Sequence, residues 1–284
     1  MNRRETLGII GAGLLGAKAL SSASAATPPA APRLDPANAR DAALVFRRLA
    51  WAADGGFGIW WLKGRRFAAV PPVYTPFWDM HIGTLFTVRD IDADTYAVTT
   101  LTTSFYTDIK TGQFLENFHN PITGKDHKVT YLGMKPIEQK YGLHGQMVDT
   151  PMNSMPSATT TRTAEPGPFM IEGDDVWMRS DNSFRAIPND VTRQAFQVED
   201  LSTYFGSLKD LNNPKLKVMP AGQVFTDLLN YPAWLEMGDR NGHFFSRCFG
   251  RKASGVAAMP QDWQQLMAEH HPEILKDPLG ALKG

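Results

Sequence analysis

The hydrophobic pattern changes rhythm three times along the chain. Leu7 to Leu20 is a single apolar stretch without period, preceded by Arg3-Arg4 and followed by the small-residue run Ser21 to Ala26. Beyond a Pro/Ala-rich piece, Ala43, Leu44, Phe46, Leu49 and Ala50 recur at helical spacing. Asp35-Pro36 ahead of them reads as N-cap and first helical position, and the helix is predicted to end near Gly55-Gly56. A third rhythm then takes over. Residues 85–88, 95–106, 128–134, 169–172, 176–179, 195–198, 204–208, 224–229 and 243–249 are short runs rich in β-branched and aromatic residues, bounded by Gly, Pro, Asn and Asp. Gly173-Asp174 predicts a tight hairpin, and Asn241-Gly242 predicts another before the 243–249 run. The Pro/Thr/Ser-rich residues 150–168 read as a long loop over the sheet. Residues 260–271 read as a helix stopped by Pro272.

This order predicts a mainly β (α+β) protein: one curved antiparallel sheet or barrel with flanking N- and C-terminal helices. Regularly alternating crossover helices, which a doubly wound sheet requires, are missing from the pattern.

The opening stretch has the layout of an export signal, with a basic start, a short apolar core and small residues at Ala23 and Ala25. Arg3-Arg4 followed by Glu5-Thr6-Leu7 resembles the twin-arginine signal, which would make the translocase a partner during export and place the protein in the bacterial periplasm. The predicted division is 1–26 signal peptide, 27–35 linker and 36–284 a single β-rich domain. Gly11-Ala12-Gly13-Leu14-Leu15-Gly16, with Asp35 beyond it, imitates a dinucleotide fingerprint. Its context excludes that chemistry, because Pro28 and Pro29 follow where a βαβ unit needs helix and strand.

Lys plus Arg and Asp plus Glu are equal at 29 each, so the chain is neutral overall, and its basic runs are short. That balance argues against nucleic acid and against an anionic membrane surface as partners. No stretch after the signal reaches the length of a membrane span. The single cysteine, Cys248, excludes an intramolecular disulfide, and its apolar setting reads as a small buried hydrophobe.

Three segments carry a resemblance. Tyr106-Thr-Asp-Ile-Lys-Thr-Gly112-Gln-Phe-Leu, Asn120-Pro-Ile-Thr-Gly124 and Pro232-Ala-Trp-Leu-Glu-Met-Gly238-Asp-Arg-Asn-Gly-His243 resemble the bacterial domain-of-unknown-function family numbered 1838. The pattern departs at Phe118-His119, where the family places a tryptophan before the Asn-Pro turn. The resemblance implies membership across most of the chain after the signal and assigns no catalytic residue. Read physically, Asp108, Thr111, Asn120 and Thr123 are turn residues whose side chains cap backbone N–H groups.

The densest set of chemically capable side chains is Glu236 to His243. If that turn lies at a barrel mouth, His243 acts as general acid or base, with Asp239 orienting it and Arg240 binding substrate. His119 is the alternative catalytic histidine. Trp234, Trp60, Trp61 and Trp78 are candidate walls of an apolar pocket, with core packing as their simpler role. The histidines lack the spacing of a metal site, and no motif for an organic cofactor occurs. Two functions follow: an exported enzyme using cofactor-independent acid/base chemistry (lyase, isomerase or hydrolase) on a hydrophobic or aromatic small molecule, or a non-catalytic small-molecule-binding protein with a lipocalin-like barrel. A histidine facing a carboxylate inside a pocket favours the first.

Overall fold

The computed structural model describes residues 34–131, 135–142, 147–149, 158–188 and 195–283; residues 1–26, read as a signal peptide, and most of 27–35, read as a linker, lie outside them. Helix α1 (Ala39–Ala50) is followed by strands β1 (Phe57–Val70), β2 (Val73–Asp90), β3 (Thr95–Thr107), β4 (Asn117–Asn120), β5 (Lys125–Lys128), β6 (Ile137–Gly142), β7 (Met147–Asp149), β8 (Ala158–Glu172), β9 (Asp175–Pro188) and β10 (Phe196–Ser207). Helix α2 (Leu208–Leu211), β11 (Gly222–Leu229), β12 (His243–Ala253) and helices α3 (Gln261–His270), α4 (Pro272–Lys276) and α5 (Pro278–Ala281) complete the chain.

Ten strands form one antiparallel sheet in the order β7-β6-β3-β2-β1-β12-β11-β10-β9-β8, curled into a half-barrel. The curved sheet with helices at both ends is therefore the observed architecture. Its centre pairs β1 with β12, and both strands carry a glycine where they bend: a Cβ on Gly64 would lie 2.0 Å from the Arg247 carbonyl, and one on Gly250 1.7 Å from that of Trp61. Backbones this close admit only glycine, the usual device for turning a sheet.

Alternation along the strands divides the side chains between two faces. At one end of the inner face, α1 buries Val45, Phe46 and Leu49 against Trp60, Phe86, Tyr96, Val98, Tyr141, Phe169 and Met178 from both halves of the sheet. At the other end the β4-β5 hairpin and a single 3-10 turn, Ala233–Leu235, cover Phe77, Trp78 and Phe244 with Phe118, Val129, Leu235 and Met237. On the outer face, α3 to α5 bury Ile59, Leu85, Leu101 and Phe105 beneath Met259, Trp263, Met267, Ile274 and Leu282. All three cores lie within residues 34–284, which form one compact unit.

Several local expectations are corrected. Asn38, not Asp35, caps α1, its Oδ1 accepting from the Arg40 and Asp41 N–H groups at 2.9 and 3.3 Å. Asp35 instead accepts from Ala37 N–H, closing a turn before the helix. The helix stops at Ala50 rather than near the two glycines, because the Trp51 backbone leaves helical geometry. Residues 158–168, expected within a loop, belong to β8, while 150–157 lie outside the described residues. Runs 195–198 and 204–208 merge into β10, whose polar middle conceals a continuous strand; 129–131 are not strand, and 132–134 are not described. Gly173 does turn the β8-β9 hairpin, with φ of 61°. Asn241-Gly242 does not join two strands, since 230–242 form a long connection; Gly242, at φ 139°, lies where a Cβ would strike the Ala69 carbonyl and the Tyr231 hydroxyl.

Candidate functional site

Because directly paired residues in an antiparallel sheet point to the same side, the register alone builds rows of side chains across the inner face. One row runs Asn182, Asp200, Asp227, Ser246, Arg66, Trp78 over β9, β10, β11, β12, β1 and β2. At its centre Arg66 Nη1 donates to Asp227 Oδ1 at 2.7 Å, and the same oxygen accepts from Ser246 N–H at 2.7 Å and Ser246 Oγ at 2.6 Å. Both charged residues are buried, Arg66 at 6 % and Asp227 at 7 % exposure. Asn182 Nδ2 donates to Asp200 Oδ2 at 3.1 Å beside them. The Phe244 ring lies 5.7 Å from the guanidinium carbon.

The next two rows carry small or partly apolar groups: Ser180, Ser202, Phe225, Cys248, Gly64, Met80 and Tyr106, then Met178, Tyr204, Gln223, Gly250, Leu62, Ile82 and Ser104. Here Gln223 Nε2 donates to Ser202 Oγ at 2.9 Å. Tyr204 packs half-buried against the α1 plug, Tyr106 and Phe225 half-buried against the β4-β5 plug, and Ser104 is half-buried in the row next to Tyr106. Leu62, Met80, Ile82, Ser202, Gln223 and Cys248 in the same rows are buried. Burial raises the phenols, Tyr204 to about 12 against an opposing hydrogen bond from Ser202 and Tyr106 in the same direction. Burial also holds the Cys248 thiol up at about 11, so it is protonated and unreactive at neutral pH.

At the α1 end another buried cation acts as a cap. Lys252 Nζ donates to the Arg48, Leu49 and Trp51 carbonyls at 2.7, 2.7 and 2.6 Å, and Trp60 Nε1 donates to Ala50 O at 2.7 Å. These donors satisfy the orphan carbonyls of the helix C-terminus. Burial pushes the ammonium well below its ordinary value.

The structure distributes the sequence-derived candidates differently. Asp239 and Arg240 are exposed; Arg240 Nη1 closes its own loop on Met237 O at 2.8 Å. His243 pairs with Ala69 on the phase that turns to the outer face, next to Phe245. Among the described residues, no hydrogen bond or ion pair joins these three to one another. His119 does meet a carboxylate, Asp126 at 2.8 Å, but on the solvent side of the β4-β5 hairpin, where the two side chains are 63 % and 84 % exposed. Trp60 faces inward at α1 and Trp61 outward, so adjacent tryptophans on one strand do not share a wall. Trp78 and Trp234 do meet, stacked 5.9 Å apart, and Trp78 also stacks on Tyr106 at 5.0 Å.

The motif segments converge in space. Asn120 Oδ1 caps the Ile122 and Thr123 N–H groups while its Nδ2 donates to Leu235 O at 3.1 Å, and Lys125 Nζ meets Glu236 at 2.6 Å. Asp108 likewise accepts from Lys110 and Thr111. Their turn chemistry builds the plug over the far end of the half-barrel. The signal that marks Asp227 is a charge in phase with Phe225 and Leu229 on a strand; nothing local ties it to Arg66, 161 residues away. Among the described residues no group of three or more His, Cys, Asp or Glu side chains gathers to hold a metal, and no helix is long and apolar enough to cross a membrane.

Fold and inner face together define an open antiparallel half-barrel, plugged at both ends and crossed by a buried ionic row. A family model described as "Protein of unknown function (DUF1838)" matches residues 59–282, and the chain belongs to that family. Neither the curated proteins nor the solved structures offer a match.

Proposed function

We propose that the inner face opens between the two plugs into a recess that binds a small, mainly apolar molecule with a hydrogen-bonding end, and that the protein is an exported small-molecule-binding protein of lipocalin-like logic. The observation that carries this reading is the half-buried stretch of Tyr106, Phe225, Tyr204 and Ser104 on an inner face otherwise sealed at both ends. Rings and aliphatic side chains there provide an apolar wall, and Ser202, Gln223 and the Arg66-Asp227 row provide a few fixed polar groups, the usual balance of a small-molecule site. The acid/base reading has less support, because His243, Asp239 and His119 lie away from this recess. Export rests on the Arg3-Arg4 signal.

The test is binding of the neutral fluorescent dye N-phenyl-1-naphthylamine to the purified protein. Ser104→Phe, which fills the recess from β3, is expected to abolish the dye's fluorescence gain with the melting temperature nearly unchanged. His243→Ala and Asp239→Ala are expected to leave it intact. Equal binding by Ser104→Phe, or loss on His243→Ala, overturns the assignment.

A further inference from the structure

Gly222 on β11 pairs with Phe205 on β10 and with Arg251 on β12, so the three lie in one row on the outer face of the sheet. The Phe205 ring lies in the space a side chain at 222 would take: a Cβ on Gly222 would come within 2.2 Å of its Cζ and 2.3 Å of its Cε2. Phe205 nevertheless stays 39 % exposed, because its other face lines a groove of about 630 Å³. Glycine at this position lets the ring lie flat as a floor. From β10 to β12 the row spans two strand spacings, about 10 Å. The ring occupies the first spacing, and the arginine stands at the end of the second.

The groove has the size of a small-molecule site, and Val218, Pro220, Ala253 and Ala258 give it apolar walls. Its charges stand at opposite sides. Arg251 is exposed and meets no carboxylate among the described residues; its Nη2 donates to the Ala258 carbonyl over a long 3.3 Å. Asp210, in α2 just past the end of β10, is the one carboxylate bordering the groove among the described residues, and it has no ion-pair partner there. Lys252 borders the groove too, but its ammonium is taken up by three carbonyls at the end of α1. The groups left for recognition are a ring face, a guanidinium on the β12 side and a carboxylate on the β10 side.

We propose that this groove is a second small-molecule site, separate from the inner recess, and that it binds a planar aromatic carboxylate carrying a hydroxyl at its far end. The ligand ring stacks on Phe205, its carboxylate takes the unused N–H donors of Arg251, and its hydroxyl donates to Asp210. A guanidinium meets a carboxylate through two parallel hydrogen bonds, a contact that a neutral carbonyl does not reproduce. An aliphatic acid would leave the ring face unused, and a second carboxylate in place of the hydroxyl would be set against Asp210. Nothing local marks the site in the sequence, since Phe205, Asp210, Gly222 and Arg251 come from four elements.

The experiment is calorimetric titration of the purified protein with three probes: 4-hydroxybenzoate; 4-hydroxyacetophenone, in which a methyl ketone replaces the carboxylate; and benzoate, which lacks the hydroxyl. The first is expected to bind tightest, and the ketone about tenfold or more weaker. Arg251→Gln should weaken 4-hydroxybenzoate by a similar factor and leave the ketone unchanged, whereas Asp210→Ala should weaken 4-hydroxybenzoate without weakening benzoate. Phe205→Ala should weaken all three. Ser104→Phe, which fills the inner recess, should weaken none, so that failure here and failure of the recess are distinguishable. Circular dichroism confirms that each variant is folded. Absence of 4-hydroxybenzoate binding, equal affinity for the ketone, folded Arg251→Gln or Phe205→Ala protein that binds like wild type, or loss of binding on Ser104→Phe overturns the proposal.

Discussion

At the scale of single residues, the decisive interactions are buried charges whose partners lie far off in sequence. Removing one member of the Arg66-Asp227 pair strands the other in the interior, so Asp227→Asn or Arg66→Met is expected to cost about 3–5 kcal/mol, measured by urea denaturation, whereas replacing both with apolar residues costs less. His81 sets a second expectation. It is 5 % exposed on the outer face, Nδ1 lies 3.6 Å from Asp262 Oδ2, and its pKa is lowered chiefly by burial and then by Lys63, with Asp262 and Asp79 opposing. The native state therefore binds this proton less readily than the unfolded chain does. His81 contributes no loss above the unfolded value near 6.5, and stability falls as pH drops from there through the lower native value. His271, also lowered first by burial, adds to the same window. His81→Gln should flatten the decline in unfolding free energy between neutral and mildly acidic pH; an unchanged slope would refute the assignment. Arg65-Arg66 shows why such sites were illegible. It reads as one surface run, yet alternation sends Arg65 outward to Asp79 and Arg66 inward to Asp227.

Among the elements, those with their own punctuation were readable and those covered on both faces were not. Pro260 and Pro272 bracket α3, and Gly173 marks the β8-β9 hairpin; both elements fall where the pattern places them. Strand β1 has no such mark. Trp60, Trp61 and Leu62 are consecutive apolar residues because helix α1 lies on one side and α3 on the other, which erases the polar-apolar alternation of a half-exposed strand. The seat of α3 is specific: a Cβ on Gly83 would lie 2.5 Å from the Trp263 ring, which is fully buried. Gly83→Leu should therefore lift the C-terminal helices, read as faster tryptic cleavage beyond residue 255. Trp263→Ala should cost about 3–5 kcal/mol in chemical denaturation.

For the whole molecule, the fold class was legible from the density of short β-rich runs, while the rows of side chains across the inner face were not, since they arise only when five or six strands pair. Export can be tested directly. Replacing Arg3 and Arg4 with lysine should hold the protein in the cytoplasm, and processed protein in the periplasm of that variant would point to another route. The central pairing of the sheet bears on when the protein can fold. Trp60 lies opposite Lys252, and the carbonyl of Arg48 waits for an ammonium 204 residues later. The first helix has no settled place until the last strand has left the ribosome. Folding is therefore a late, long-range event, slow for a chain of this size, and a truncation before β12 should give a chain that proteases clear rather than a smaller stable domain.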